Sequence, residues 1–398
     1  MHWISGEHPI QQARSEESNQ AYPNIRKIEL KWPDGVVLYK YNRILTLGDV
    51  YEIHKAFDEY HKKTCIRFEK ALESDVDFVS LEVNNDQCGV ATVCNMGNGS
   101  YQFARFGQNC RNVSTMVHEL AHTLCLGHEN QRRDRDNYIS YADCGDNFPR
   151  KLSQKNFRAS GIYDYASQMH YQCTSCQLGG FPLESGWCGV DLTPGLSVLD
   201  ADLINALYDC KGCHRHRWIP AVQLTDQDKR NMHSLALKSG DPALNVCRAS
   251  NNGEVSAGKY DAVQKTCSIR FGTELLEVKE NVEVLTIPGG LDADCSNYRW
   301  VNRVDVPVGS AVAAGNSFRS YNFTMFVAYG SITKNDGIIE TSVGKVGLSQ
   351  DDNGFTRPAE LAVGSANNGV TLDYKVLACV VDNSCMIRQW FVERKRCS

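Results

Sequence analysis

Residues 118–138 read HELAHTLCLGHENQRRDRDNY, three histidines with a glutamate beside the first. His118 and His122 are four residues apart, so on a helix they stand one above the other on the same face. At that separation two imidazole nitrogens can share one tetrahedral Zn2+ ion. Glu119 follows the first ligand directly, placed to reach a water at the metal without itself ligating. His128 does not follow from an unbroken helix. At about 100° per residue it would lie roughly 240° past His122, on another face. It joins the site only if the helix breaks between them, and Gly127 offers such a break. Three histidines in this register point to a metal centre and not to a histidine-rich surface.

The elements around this stretch can be read from pattern. A helix is expected from Asn112 or Ser114 to Leu124. Val50, Ile53, Phe57 and Tyr60 repeat at helical spacing over residues 48–63. KWPDGVVLYKYN from Lys31 reads as a turn feeding a strand, and DFVSLEVN as a second short strand. LDADLINALYDC is a last helix, with Ser197 and Asp200 spaced as a capping box. These elements describe an α+β domain over residues 28–213. Residues 1–27, with the run QQARSEESNQ, are polar and read as an extended segment. Residues 214–398 are rich in Gly, Asn, Val and short alternating runs and read as β-rich.

The chain has 398 residues, enough for two or three domains. Its net charge of −5 is too mild to suggest a nucleic-acid partner. It contains no run of eighteen apolar residues, so no membrane span is expected. Seventeen cysteines are spread along it without a repeated C-x-x-C zinc pattern. Such a load implies a disulfide framework and an oxidising, extracellular compartment. The sequons at Asn98, Asn112 and Asn322 agree with a secreted glycoprotein. Met1 opens on HWISGEHP with no charged and apolar leader, so secretion is inferred from the cysteines alone.

The motif stretch resembles the astacin metalloproteases, whose signature is HExxHxxGxxHExxRxDRDxY. The resemblance extends over roughly residues 30–210 and takes in Trp32 to Tyr39, TCIRF at 64–68, YDYASQMHY at 163–171 and LSVLDADLINALYDC at 196–210. It implies a two-lobed metzincin fold, zinc held by His118, His122 and His128, and hydrolysis of protein or peptide substrates. By the same resemblance Glu119 is the general base, Met169 forms the Met-turn beneath the metal, and Tyr171 is the phenol beside it. Glu129 corresponds to the glutamate that receives the amino terminus after activation. The family pairing implies disulfides Cys65–Cys210 and Cys88–Cys110. ISGEHP resembles the propeptide stretch whose carboxylate caps the metal; Glu7 would be that carboxylate and the chain a zymogen, cleaved near residues 20–27. One position departs: the family's glycine falls at Cys125. Either Cys125 adopts the left-handed backbone that glycine permits, at roughly 1–2 kcal/mol and held by a disulfide, or the turn shifts to Gly127.

In the carboxyl-terminal half a weak repeat is visible. Arg217-Trp218 recurs at Arg299-Trp300, LNVCRAS (244–250) at MFVAYGS (325–331), Gly258-Lys259 at Gly344-Lys345, and EVL (283–285) at KVL (375–377). These stretches resemble DM-nine repeats, some of which are mannose-binding lectins. The resemblance implies a tandem glycan-binding or targeting module, with Lys259 and Lys345 as candidate sugar contacts. Two functions from different classes are thus in view. One is a secreted zinc endopeptidase with an appended binding module. The other is an adhesive, lectin-like protein with an inactive protease domain. The complete set of His118, Glu119, His122, His128 and Tyr171 favours the enzyme.

Overall fold

The computed structural model describes residues 30–84, 88–141, 161–171, 177–180, 195–232, 245–293, 295–307, 309–317, 323–334, 336–349, 354–363 and 369–381. The chain divides between Tyr208 and Asp209 into two units. Glu7 and the amino-terminal segment lie outside the described residues.

In the first unit the Pro33–Gly35 turn feeds β1 (Val36–Tyr41), and α1 follows (Leu47–Lys63). A reciprocal Thr46–Asp49 capping box starts α1, and His61, Lys62 and Lys63 sit in its last turn, where cations oppose the helix dipole. Ile53, Phe57 and Tyr60 form its buried stripe, as their spacing demands. Four strands run parallel in the order β2 (Arg67–Lys70), β1, β3 (Val79–Asn84), β5 (Gln102–Gly107). Short β4 (Gly89–Ala91) lies antiparallel at the β5 edge. The zinc-motif helix α2 (Val113–Thr123) is capped by the Asn112 side chain, which accepts from the Thr115 N–H. Met116, Val117 and Leu120 of α2 share one core with the α1 stripe and with Val37, Leu81 and Phe106 of the sheet. The Tyr60 hydroxyl donates to the Val117 carbonyl at 2.7 Å, fixing α1 against α2. A two-stranded sheet, β6 (Ile139–Tyr141) with β7 (Gln177–Gly180), and α3 (Val198–Leu207) complete the unit. Cys88 and Cys110 form the expected disulfide, and Cys65 and Cys210 are each disulfide-bonded.

The second unit is built from strands. One sheet runs β12 (Glu274–Val278), β11 (Thr266–Phe271), β10 (Glu254–Asp261), β9 (Asn245–Asn251), β13 (Glu283–Thr286), β8 (Arg217–Pro220). A short helix, α4 (Asp226–Asn231), follows β8. The other sheet runs β14 (Asp292–Ala293), β15 (Ser296–Asn302), β21 (Tyr374–Val381), β17 (Phe323–Thr333), β18 (Ile339–Ser349), β19 (Ala359–Leu361), β20 (Val370–Thr371), with β16 (Ala313–Asn316) paired to β17. Read from β8 in the first sheet and from β15 in the second, the six-strand order is the same, and β14 and β16 are additions of the second sheet.

The register repeats as well. Trp218 faces Leu285 and Trp300 faces Leu377. Gly258 faces Cys247 and Gly344 faces Ala328. Val284 faces Cys247 and Val376 faces Ala328. The repeated sequence stretches therefore occupy equivalent places. The two glycines recur for a packing reason: a β-carbon at Gly258 would run into the Ser268 carbonyl oxygen, and one at Gly344 into that of Glu360. The repeats differ in their bracing. Cys247 is bonded to Cys267, joining the strands on either side of β10, whereas the second repeat has no such bond at Ala328. A further disulfide, Cys213–Cys379, attaches the start of the unit to β21.

Candidate metal centre

Each motif histidine uses one ring nitrogen to fix itself and turns the other to a common point. His118 Nδ1 lies 2.8 Å from the Gln168 carbonyl oxygen, and His122 Nδ1 2.8 Å from that of Leu126. His128 Nδ1 lies 2.9 Å from Gln131 Oε1. A carbonyl oxygen only accepts, so Nδ1 carries the proton on His118 and His122, and Nε2 presents its lone pair. His128 Nε2 sits 3.2 Å from His118 Nε2 and 3.1 Å from His122 Nε2. All three ligand atoms fall within 4.8 Å of one another. Burial drives the histidine pKa values down, to about 3 for His118 and about 4 for His122, and well below the ordinary value for His128. Neutral imidazoles with lone pairs converging at this range repel one another unless a cation sits among them. The donor set fits zinc: three neutral imidazoles, the number of protein ligands that a catalytic zinc site uses.

Glu119 is 1 % exposed, and neither carboxylate oxygen has a hydrogen-bond partner. Burial pushes its pKa well above the usual carboxylate range. A buried acceptor left unsatisfied is costly, and such groups concentrate where chemistry needs them.

The third histidine arrives by a break, and the break is at Cys125. Helix α2 ends at Thr123 with Leu124 as its C-cap, and Cys125 takes φ +76°. Leu126 N–H then donates to the Ala121 carbonyl at 3.1 Å and Cys125 N–H to that of His122 at 2.9 Å, the paired bonds of a Schellman ending. Gly127 is not in the left-handed region. Of the two alternatives open in the sequence, the chain adopts the first, and Cys125 is bonded to Cys94.

The stretch 163–171 touches two of the histidines, Gln168 at His118 and Tyr171 at His128. Met169 is buried in the core, and its carbonyl accepts the Glu129 N–H at 3.0 Å. Asp200, the N3 residue of the α3 capping box, also accepts from Ser167 Oγ at 2.7 Å and from the Gln168 N–H at 2.8 Å. The helix cap thereby holds the turn whose Gln168 carbonyl orients His118. Tyr171 lies against the third ligand, its ring 4.3 Å from that of His128. His170, between them, accepts or donates at Nε2 to the Tyr163 hydroxyl at 2.9 Å and is structural. Glu129 Oε1 accepts from Arg132 at 2.7 Å and from the Asp164 N–H at 2.9 Å. Arg132 is fully buried by this pair, by Asp134 and by the carbonyls of Gly161 and Ile162. Sequence reasoning does not single out Gln131, Asp200 and Cys94 for these roles. The spacing of Gln131 from His128 is the one local signal available.

In the second unit Lys259 is half-buried and Lys345 is buried. The Lys345 ammonium pairs with Glu254, lies 3.3 Å from Ser256 Oγ and 3.6 Å from Glu360 Oε2, and sits 5.3 Å from the Phe271 ring centre. It is a partnered lysine inside the unit.

The family model for the astacin peptidases matches residues 24–182, and that for the DM9 repeat matches 239–352. The zinc metalloproteinase nas-6 of Caenorhabditis elegans is 31 % identical over 212 residues, half of this chain and 59 % of that protein. The astacin-like metalloprotease toxin 2 of Loxosceles intermedia is 32 % identical over 201 residues, 46 % of this chain and 75 % of that protein. The matched stretch spans only 37 % of a second nematode relative, nas-14. Among solved structures, a hatching-enzyme zinc protease from Oryzias latipes aligns with half of this chain and all of its own, at 24 % identity and a TM-score of 0.40.

Proposed function

Since the chain belongs to the astacin family and carries DM9 repeats in its second unit, we propose that it is a secreted zinc metalloendopeptidase with an appended recognition module. The observation that carries the reading is the convergence of three Nε2 lone pairs beside an unpartnered buried glutamate. An adhesive protein with a defunct protease domain has no use for either.

A zinc ion, when bound, supplies a dipositive charge that acidifies water and polarises a carbonyl. The protein's own residues do the rest. His118 and His122 would hold the ion through Nε2 because their Nδ1 protons are already committed to carbonyls, and His128, with Nδ1 turned to Gln131, would do so through the Nε2 that faces theirs. The Glu119 carboxylate, held without a competing donor, takes the proton of the attacking water and returns it to the departing amine nitrogen. The Tyr171 hydroxyl donates to the oxyanion that develops on the cleaved carbonyl. No acyl-enzyme is required. Met169 supports the ligands from below, and the Asp200–Ser167 bond keeps that support in place.

Seventeen cysteines, several paired as described, support an extracellular setting. Activation follows the family scheme: Glu7 caps the metal in the zymogen, and cleavage near residues 20–27 releases an amino terminus to Glu129. The repeat unit contributes a glycan or protein contact. Of the two lysines, Lys259 suits a sugar hydroxyl better, because Lys345 has carboxylate partners.

The test is peptide hydrolysis by the processed protein beside Glu119→Ala and a chelator-treated sample. The variant should lose about 10³-fold or more in kcat/KM, and re-added zinc should restore only the wild type. Undiminished hydrolysis in both treated samples defeats the proposal.

A further inference from the structure

The motif positions after His122 must stop a helix and bring His128 back to the two helical ligands within a few residues. The left-handed residue that does this carries a β-carbon, which disfavours its conformation. Cys125 is bonded to Cys94, itself at φ +66°. The Cys94 N–H donates to the His122 carbonyl at 3.0 Å, the same oxygen that accepts the Cys125 N–H at 2.9 Å. The next residue, Asn95, donates its N–H to the Leu30 carbonyl at 2.9 Å. Covalent bond and hydrogen bonds thus pin one turn to a segment remote in sequence.

That turn serves two ligands. Its Leu126 carbonyl fixes the Nδ1 proton of His122, and its exit places His128 Nε2 at 3.1 Å from His122 Nε2. Gly127, the only glycine in the segment, is not left-handed and does not supply the turn.

We propose that the Cys94–Cys125 disulfide is the positioning device of the third metal ligand, holding by a covalent link the turn that a glycine at 125 would adopt unaided. This rests on the zinc reading above. Cross-link and left-handed backbone form one unit: losing the link while keeping a β-carbon at 125 leaves the strained conformation with nothing to hold it.

Two full-length variants separate the link from the backbone, and neither leaves a free thiol beside the metal. Cys94→Ala/Cys125→Ala removes the bond and keeps the β-carbon. Cys94→Ala/Cys125→Gly removes both. Zinc affinity is read by chelator competition and folding by far-UV circular dichroism of the metal-free proteins. The alanine pair should bind zinc about 10–100-fold more weakly than the wild type, and the glycine pair within about threefold of it. Wild-type affinity in the alanine pair overturns the proposal. So does a glycine pair as weak as the alanine pair. If the alanine pair does not fold, the glycine pair decides alone: near-wild-type affinity supports the proposal and a tenfold loss overturns it. A wild type that binds no zinc defeats instead the reading on which the proposal rests.

Discussion

Glu119 in the first unit and Glu283 in the second are both buried glutamates, 1 % and 0 % exposed. Glu283 accepts from Arg248 Nε and pairs with its guanidinium at 2.8 Å. Arg248 in turn donates to the Ala314 carbonyl at 3.0 Å and lies 4.6 Å from the Trp218 ring centre. Glu119 has no partner on either oxygen. A fold satisfies the charges it buries, whereas a reaction site keeps an acceptor in reserve. In the second unit the recurring residues, Trp218 and Trp300, Gly258 and Gly344, Leu285 and Leu377, do the same packing job twice. In the first unit the motif residues divide the work: three histidines form one ligand set and Glu119 stands apart from it.

The largest effect that tests this contrast is at Glu283. Glu283→Gln keeps the shape and removes the charge, leaving Arg248 buried opposite a neutral amide. It should cost about 3–5 kcal/mol. Denaturant unfolding would register the loss, while zinc affinity of the folded protein stays unchanged. A variant as stable as the parent would mean the pair is not what satisfies Arg248, and the contrast with Glu119 would lose its second term.

Next comes the difference between the repeats. Ala328 stands where Cys247 stands, opposite the paired glycine. Cys267 lies two residues before Ile269, the partner of Gly258, and Ala359 two before Leu361, the partner of Gly344. Both alanines are wholly buried in one cluster. Ala328→Cys/Ala359→Cys should therefore close a second bridge and stabilise the chain by about 2–3 kcal/mol. Thiol titration and a melt with and without reductant would show it. Two free thiols under oxidising conditions would mean that the matching register does not extend to matching spacing.

The sequence made much of the first unit legible because its signals are local. Helical spacing placed α1, the Ser197–Asp200 capping box placed the start of α3, and the four-residue histidine spacing placed two ligands on one face. The break before His128 was legible as a requirement but not as a place. Gly127 was the local candidate, yet the left-handed residue is Cys125, and what supports it lies at Cys94. Asp200 shows the same limit: its capping box could be read, but not its second task of holding Ser167 and Gln168. Long-range partners leave no spacing to read. In the second unit repetition took the place of local signal, and the recurrent stretches proved to be paired strands in equal register. Lys345 could not be read this way, since its partner Glu254 belongs to the other repeat.

The smallest effect concerns Glu119 itself. Burial raises its pKa, so the folded metal-free protein favours the neutral carboxyl. Its contribution to stability is present below the unfolded value near 4.5 and is lost as pH rises through the folded value. Glu119→Gln stays neutral throughout. In metal-free protein the variant should match the parent at pH 4 and be the more stable of the two at pH 8. The histidines act with the opposite sign. Their folded pKa values lie below the unfolded value near 6.5, so stability falls as pH drops below it, but equally in both proteins, and the difference curve isolates Glu119. Zinc should shrink that difference, because a dipositive ion nearby favours the charged carboxylate. A stability gap that is flat with pH, or that widens with zinc, would mean that Glu119 is satisfied after all and that the two buried glutamates are alike.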